Sequence, residues 1–75
     1  MGRLRPLPYR EVKRRLEAAG FVETSQKGSH VKFVRTAGTT VDIAIVPKKR
    51  EIAVGTLRSI LSQAHIERDA WENLG

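Results

Sequence analysis

Apolar and polar positions along this chain follow two different periods, and the places where one gives way to the other mark its elements. Tyr9, Val12, Leu16 and Ala19 recur at spacings of three and four, which draws one apolar stripe on a helix. Arg10, Lys13, Arg14 and Glu17 lie away from that stripe. Leu7-Pro8 opens the helix, since proline's missing N–H costs nothing in the first helical turn. Gly20 closes it, because glycine enters the left-handed conformation without steric cost. The period then drops to two. Phe21 to Gln26 predicts a first strand, His30 to Arg35 a second and Thr40 to Val46 a third. On the second strand Val31 and Phe33 point one way, His30 and Lys32 the other. On the third, Val41, Ile43 and Ile45 share one face, which reads as its contribution to an apolar sheet face.

The punctuation between these runs is equally local. Lys27 to Ser29 is a tight connection carrying Gly28, and Thr36-Ala37-Gly38-Thr39 is a hairpin turn with glycine free to take a positive φ. Pro47 stops the third strand, and Pro47-Lys48-Lys49-Arg50-Glu51 forms a basic loop. Helical spacing returns with Leu57, Ile60, Leu61 and Ala64, predicting a second helix from about Val54 to near His65. Glu67 to Leu74 suggests a short acidic third helix, with Trp71 and Leu74 able to pack back on the body. The expected architecture is therefore α+β: helix-strand-strand-strand-helix, with a three-stranded antiparallel sheet, helices on one face and a short C-terminal helix. The opposite face, bearing His30 and Lys32, is left free for a ligand.

Composition narrows the class. Seventy-five residues make a single domain, 1–75, with a loose basic arm over 1–6 and a short C-terminal extension over 66–75. A chain of this length buries only ~60% of its unfolded surface, so its core is thin and a stabilising protein partner fits the picture. There is no cysteine to supply a disulfide or a thiolate metal ligand. No apolar run approaches the ~20 residues of a membrane span. The basic start, Met1 to Arg5, runs into Pro6 and Pro8 where a signal peptide would turn apolar. The expectation is a cytoplasmic protein with no membrane partner.

Charge then points to a partner. Fourteen Lys and Arg against eight Asp and Glu give a net +6, and such a field on a small surface attracts polyanions. Candidate chemistry is sparse. The only histidines are His30 and His65, there is no cysteine with which to build a zinc site, and Asp42 and Glu51 have no ligand-like spacing, so neither a metal nor another cofactor is expected. No phosphate-binding glycine loop or dinucleotide fingerprint is present. RNA, however, carries its own nucleophile in the 2′-hydroxyl. A histidine can take that proton or return one to the leaving 5′-oxygen, with ammonium groups stabilising the charge that gathers on phosphorus. Lys27 and Lys32 flank His30 in the way this needs. Gly28 lets backbone approach a phosphate, and Ser29 offers an N–H and a hydroxyl. Lys48, Lys49 and Arg50 read as a phosphate clamp ahead of the second helix. Each of these has a plain alternative: a turn glycine, a polar turn serine, a solvated basic loop, a strand-start histidine without chemistry. His65 reads as structural, suited to the C-terminal dipole of its helix. Trp71 reads as a packing residue before a base-stacking one.

Three stretches together resemble a known family. Leu16-Glu17-Ala18-Ala19-Gly20-Phe21, then Gln26-Lys27-Gly28-Ser29-His30, then Gly55-Thr56-Leu57-Arg58-Ser59-Ile60-Leu61 are similar to the HicA toxins, in order and spacing, from about Tyr9 to Ile66. The resemblance implies a fold like the double-stranded RNA-binding domain and a metal-independent mRNA interferase in a type II toxin–antitoxin module. It makes the Gly-Ser-His histidine, His30, the catalytic residue, messenger RNA the substrate and a HicB-type antitoxin the protein partner that blocks the active site. The chain departs from the family pattern in two places. Lys49 stands where many relatives carry a second histidine in a Pro-x-His context, and lysine is a poor proton shuttle at neutral pH. His65 stands where a helix-end glycine is common. A non-catalytic RNA-binding module remains the alternative reading, and a component that works mainly through protein contact a third.

Overall fold

A computed structural model describes residues 3–75; Met1 and Gly2, the first residues of the expected arm, lie outside the described residues. The element order is α1 (Tyr9–Ala18), β1 (Val22–Lys27), β2 (His30–Ala37), β3 (Thr40–Pro47), α2 (Val54–Ala64) and α3 (Arg68–Asn73). The three strands form an antiparallel sheet in the order β1-β2-β3. The fold is α+β, as the two periods predict.

Both hairpins are set by glycine. Gly28 and Gly38 each occupy the first central position of a two-residue turn at φ near +60°, the conformation that lets a tight turn match the twist of its strands. α1 ends in a Schellman arrangement: Gly20 at φ +99° donates to the Glu17 carbonyl, and the Phe21 N–H reaches back to Leu16 at 2.9 Å. α2 ends the same way without a glycine. His65 takes the left-handed position at φ 55°, and the Ile66 N–H reaches Leu61 at 3.1 Å.

The core gathers Val12 and Leu16 of α1, Phe21, Val31 and Phe33 of β2, Ala44 and Val46 of β3, Ile52, the Leu57, Ile60, Leu61 and Ala64 stripe of α2, and Trp71. Leu4 and Leu7 pack against it, and Leu7 exchanges two backbone hydrogen bonds with Ile52, at 3.1 and 2.7 Å. α3 is fastened by Trp71, which is fully buried beneath the Arg15 guanidinium, while Arg15 also donates to the Trp71 carbonyl at 3.3 Å.

The third strand corrects the sequence reading. Its core face carries Asp42, Ala44 and Val46, whereas Val41, Ile43 and Ile45 lie on the open face. Register is the reason. Phe33 faces Ala44 and Val31 faces Val46, so the residues beside β2's buried side chains are necessarily β3's buried ones. The bulkier alternate set is thereby turned outward. Buried Asp42 is tolerated because Arg35 donates to it at 2.9 Å and His65 bonds it at 2.8 Å.

Candidate active site

His30 opens β2 directly after the Gly28 turn, and strand alternation places its exposed ring on the open sheet face. Its cross-strand neighbours are Lys27 on β1 and Pro47 on β3. Lys32 follows two residues along on the same face, opposite Ser25 and Ile45. The turn is tied to the basic loop by the Lys48 N–H, which donates to the Ser29 carbonyl at 2.6 Å. A proline at the end of β3 suits this arrangement, since β3 is an edge strand and needs no outward N–H there.

A groove runs between this corner of the sheet and α2. Ser29, His30, Ile45, Pro47 and Lys49 line it from the sheet and loop; Thr56, Ser59, Ile60 and Gln63 line it from the helix. Gln63 pins the two walls together: its side-chain oxygen accepts the Ile45 backbone N–H at 2.9 Å. That bond satisfies an edge-strand donor and fixes the helix at a set distance from His30.

The eight residues singled out in the sequence separate here. Ser29, His30 and Lys49 meet in the groove. Lys27 and Lys32 adjoin it on the same face, and Gly28 shapes the turn beneath. Lys48 does not join them, because its ammonium lies over the Tyr9 ring, 5.8 Å from the centroid. Arg50 is exposed and lies outside the groove lining. Thr56, Ser59 and Gln63 were not singled out as site residues. Their signal was present as a polar row at spacings of three and four beside the Leu57-Ile60-Leu61-Ala64 stripe, but only the docking of α2 on β3 shows what the row faces.

The other histidine sits elsewhere. His65 Nδ1 bonds Asp42, Arg35 bonds the same carboxylate, and Arg35 also donates to the Ala19 and Ala64 carbonyls while lying over Phe21. The Arg35 hydrogen bond, then that of His65, holds the Asp42 carboxyl below its ordinary range. This cluster cross-links α1, β2, β3 and α2 and includes no groove residue. Among the described residues no set of three or more His, Cys, Asp and Glu could hold a metal ion, and no helix is long and apolar enough to cross a membrane.

Residues 9–66 fit the family described as the HicA toxin of bacterial toxin–antitoxin systems. No curated protein matches the chain.

Proposed function

Because the chain belongs to the HicA toxins of bacterial toxin–antitoxin systems, we propose that it acts as an mRNA interferase, an endoribonuclease with His30 as its catalytic residue. The observation that carries this reading is the placement of an exposed imidazole at the mouth of a groove whose walls offer an ammonium group, three hydroxyls and an amide. These are groups that bind and polarise a phosphodiester without a metal.

The chemistry follows from the substrate. His30 takes the proton of a ribose 2′-hydroxyl, the oxygen attacks the adjacent phosphorus, and the bond to the 5′-oxygen breaks. The products are a 2′,3′-cyclic phosphate and a 5′-hydroxyl end, and the leaving oxygen takes its proton from water or from the imidazolium. Lys49 from the loop, with Lys32 and Lys27 on the sheet, stabilises negative charge on the phosphorane. Ser29, Thr56 and Ser59 supply hydrogen bonds to backbone oxygens, which position the strand without reading its sequence. A HicB-type antitoxin is the neutralising partner in this reading.

The test is incubation of purified protein with messenger RNA in the presence of EDTA. Wild type is expected to leave cyclic-phosphate ends, and His30→Ala to lose cleavage by ~100-fold or more while retaining a gel shift, since general acid–base catalysis contributes on that order. Intact RNA with a salt-sensitive shift for the wild type establishes the non-catalytic binder instead. Equal toxicity of wild type and His30→Ala on expression overturns the assignment of His30.

A further inference from the structure

The groove beside His30 is larger than a phosphate needs. Its volume of about 530 Å³ lies in the range of sites that enclose a drug-sized ligand. Its two ends differ in chemistry. Lys49 and Thr56, from the loop and the first turn of α2, offer one end the ammonium and hydroxyl that a phosphate takes. The other end lies where the Gln63 side chain bonds the Ile45 backbone. Its walls are aliphatic, with Ile45, 38% exposed, on the sheet side and Ile60 on the helix side. Ile45 is two residues along β3 from Pro47, the partner of His30, a separation of ~7 Å at the rise of a strand. One nucleotide covers that interval.

Gln63 gives this end a fixed polar group. A backbone N–H can be accepted only by the oxygen of a glutamine amide, so the 2.9 Å bond from Ile45 determines which way the amide is turned. The oxygen is committed to the strand, and the NH2 is what remains for a ligand. Among the described residues nothing accepts from it. The charged groups nearby are donors as well. Lys32 stands opposite Ile45, Lys49 lines the groove, and among the described residues no carboxylate belongs to the lining. A phosphate alone would leave the aliphatic walls unfilled. A flat ring with apolar faces and an acceptor on its edge fills them and pairs the amide.

On the RNA reading given above, we infer that this end of the groove is a nucleobase subsite and that Gln63 determines its specificity. It selects a keto-bearing base, uracil or guanine, beside the bond that His30 cleaves. Uracil O4 and guanine O6 accept from the fixed NH2. Cytosine and adenine carry an amino group at the corresponding position, and a donor set against a donor leaves both unpaired. One hydrogen bond lost in this way amounts to ~10-fold in affinity. Gln63 is separate from the groups that hold the phosphate, so its replacement changes which sites are cut more than how the bond breaks.

Two replacements of Gln63 in the full chain test this. Gln63→Glu keeps an oxygen for the Ile45 N–H and turns the ligand-facing donor into an acceptor; Gln63→Ala removes both. Binding is read by fluorescence anisotropy in a His30→Ala background with oligouridylate and oligocytidylate, whose rings differ only along one edge. Cleavage ends are mapped on messenger RNA with His30 intact. Oligouridylate is expected to bind ~10-fold tighter than oligocytidylate, with that order reversed in Gln63→Glu and abolished in Gln63→Ala, and cleavage sites should shift in parallel. Equal affinity for the two oligomers overturns the inference, as does a uridine preference that persists in folded Gln63→Glu. A uniform fall in cleavage at every site, with preference unchanged, overturns it too and leaves Gln63 only the pin between α2 and β3. A uridine preference that follows Gln63 in a chain that never cleaves RNA upholds the base subsite while removing the nuclease reading.

Discussion

His30 and His65 show how position decides what one side chain does. His30 is exposed beside a groove, with Lys27 across the strand and Lys49 in the lining. His65 is also exposed, yet its Nδ1 is held by Asp42 and its backbone is committed to the left-handed end of α2. Two outcomes follow at this scale. Lys49→His puts an imidazole where the family pattern has one and gives the leaving oxygen a proton donor suited to neutral pH. Cleavage by the variant is expected to rise ~10-fold or more over wild type in single-turnover assays, a part of the ~100-fold or more that general acid–base catalysis supplies. His65→Gly loses a part-buried hydrogen bond to Asp42 but relieves a non-glycine φ of 55°, which costs about 1 kcal/mol for residues with a Cβ. The two effects oppose each other, so its urea midpoint should lie within the equivalent of ~1 kcal/mol of wild type.

At the scale of elements, α3 depends on one residue. It has six residues and no side-chain cap, so little in its own sequence holds it helical. Trp71, fully buried beneath Arg15, is what docks it. Among the described residues the Trp71 Nε1 hydrogen finds no hydrogen-bond partner, and a buried donor left unpaired costs about 1–3 kcal/mol. Trp71→Ala should therefore destabilise by about 3–5 kcal/mol through the cavity. Trp71→Phe loses volume but also sheds the orphaned donor, and should cost under about 1.5 kcal/mol. Denaturant titration of the two variants separates the effects; equal losses for both would show that ring shape, not buried volume, holds α3.

The whole molecule is governed by its excess of positive charge and the carboxylates that offset it. Arg14, then Arg15, hydrogen-bonds Glu11 and holds its carboxyl down to about 2; Arg35, then His65, holds Asp42 low in the same way. A carboxyl with a depressed folded-state pKa stabilises fully above its unfolded value and loses that stabilisation as pH falls through the folded one. Stability should thus be flat above about pH 5 and decline between about 4.5 and 2, the interval Glu11 spans. Glu11→Gln is expected to flatten part of that decline in urea titrations at pH 6 and pH 3. RNA affinity belongs to this scale too: with a net +6 it should fall steeply as salt rises, and each Lys-to-Gln change at Lys27, Lys32 or Lys49 should lower the log–log slope by somewhat under one.

Most of the fold was legible in the chain because its determinants are local. The stripe from Val12 to Leu16, the alternation through Val31 and Phe33, and Gly20, Gly28 and Gly38 each act through neighbours a few residues away. That is why the six elements were within reach, and why Gly28, Ser29 and His30 stood out as one turn. The groove was only half legible. His30 and Lys49 are 19 positions apart in sequence and meet through the Lys48–Ser29 bond, while Thr56, Ser59 and Gln63 arrive through packing of α2 on the β3 edge. By itself, then, the sequence determined the elements, the turns and the histidine that follows the Gly28 turn. Only the tertiary structure decided which side of β3 is core. Alternation along that strand favours Val41, Ile43 and Ile45 over Asp42, Ala44 and Val46 as the buried set, and it is strand pairing that overrides this choice. Pairing of Phe33 with Ala44 and Val31 with Val46, together with Arg35 reaching Asp42, buried the smaller set and left Val41, Ile43 and Ile45 facing outward.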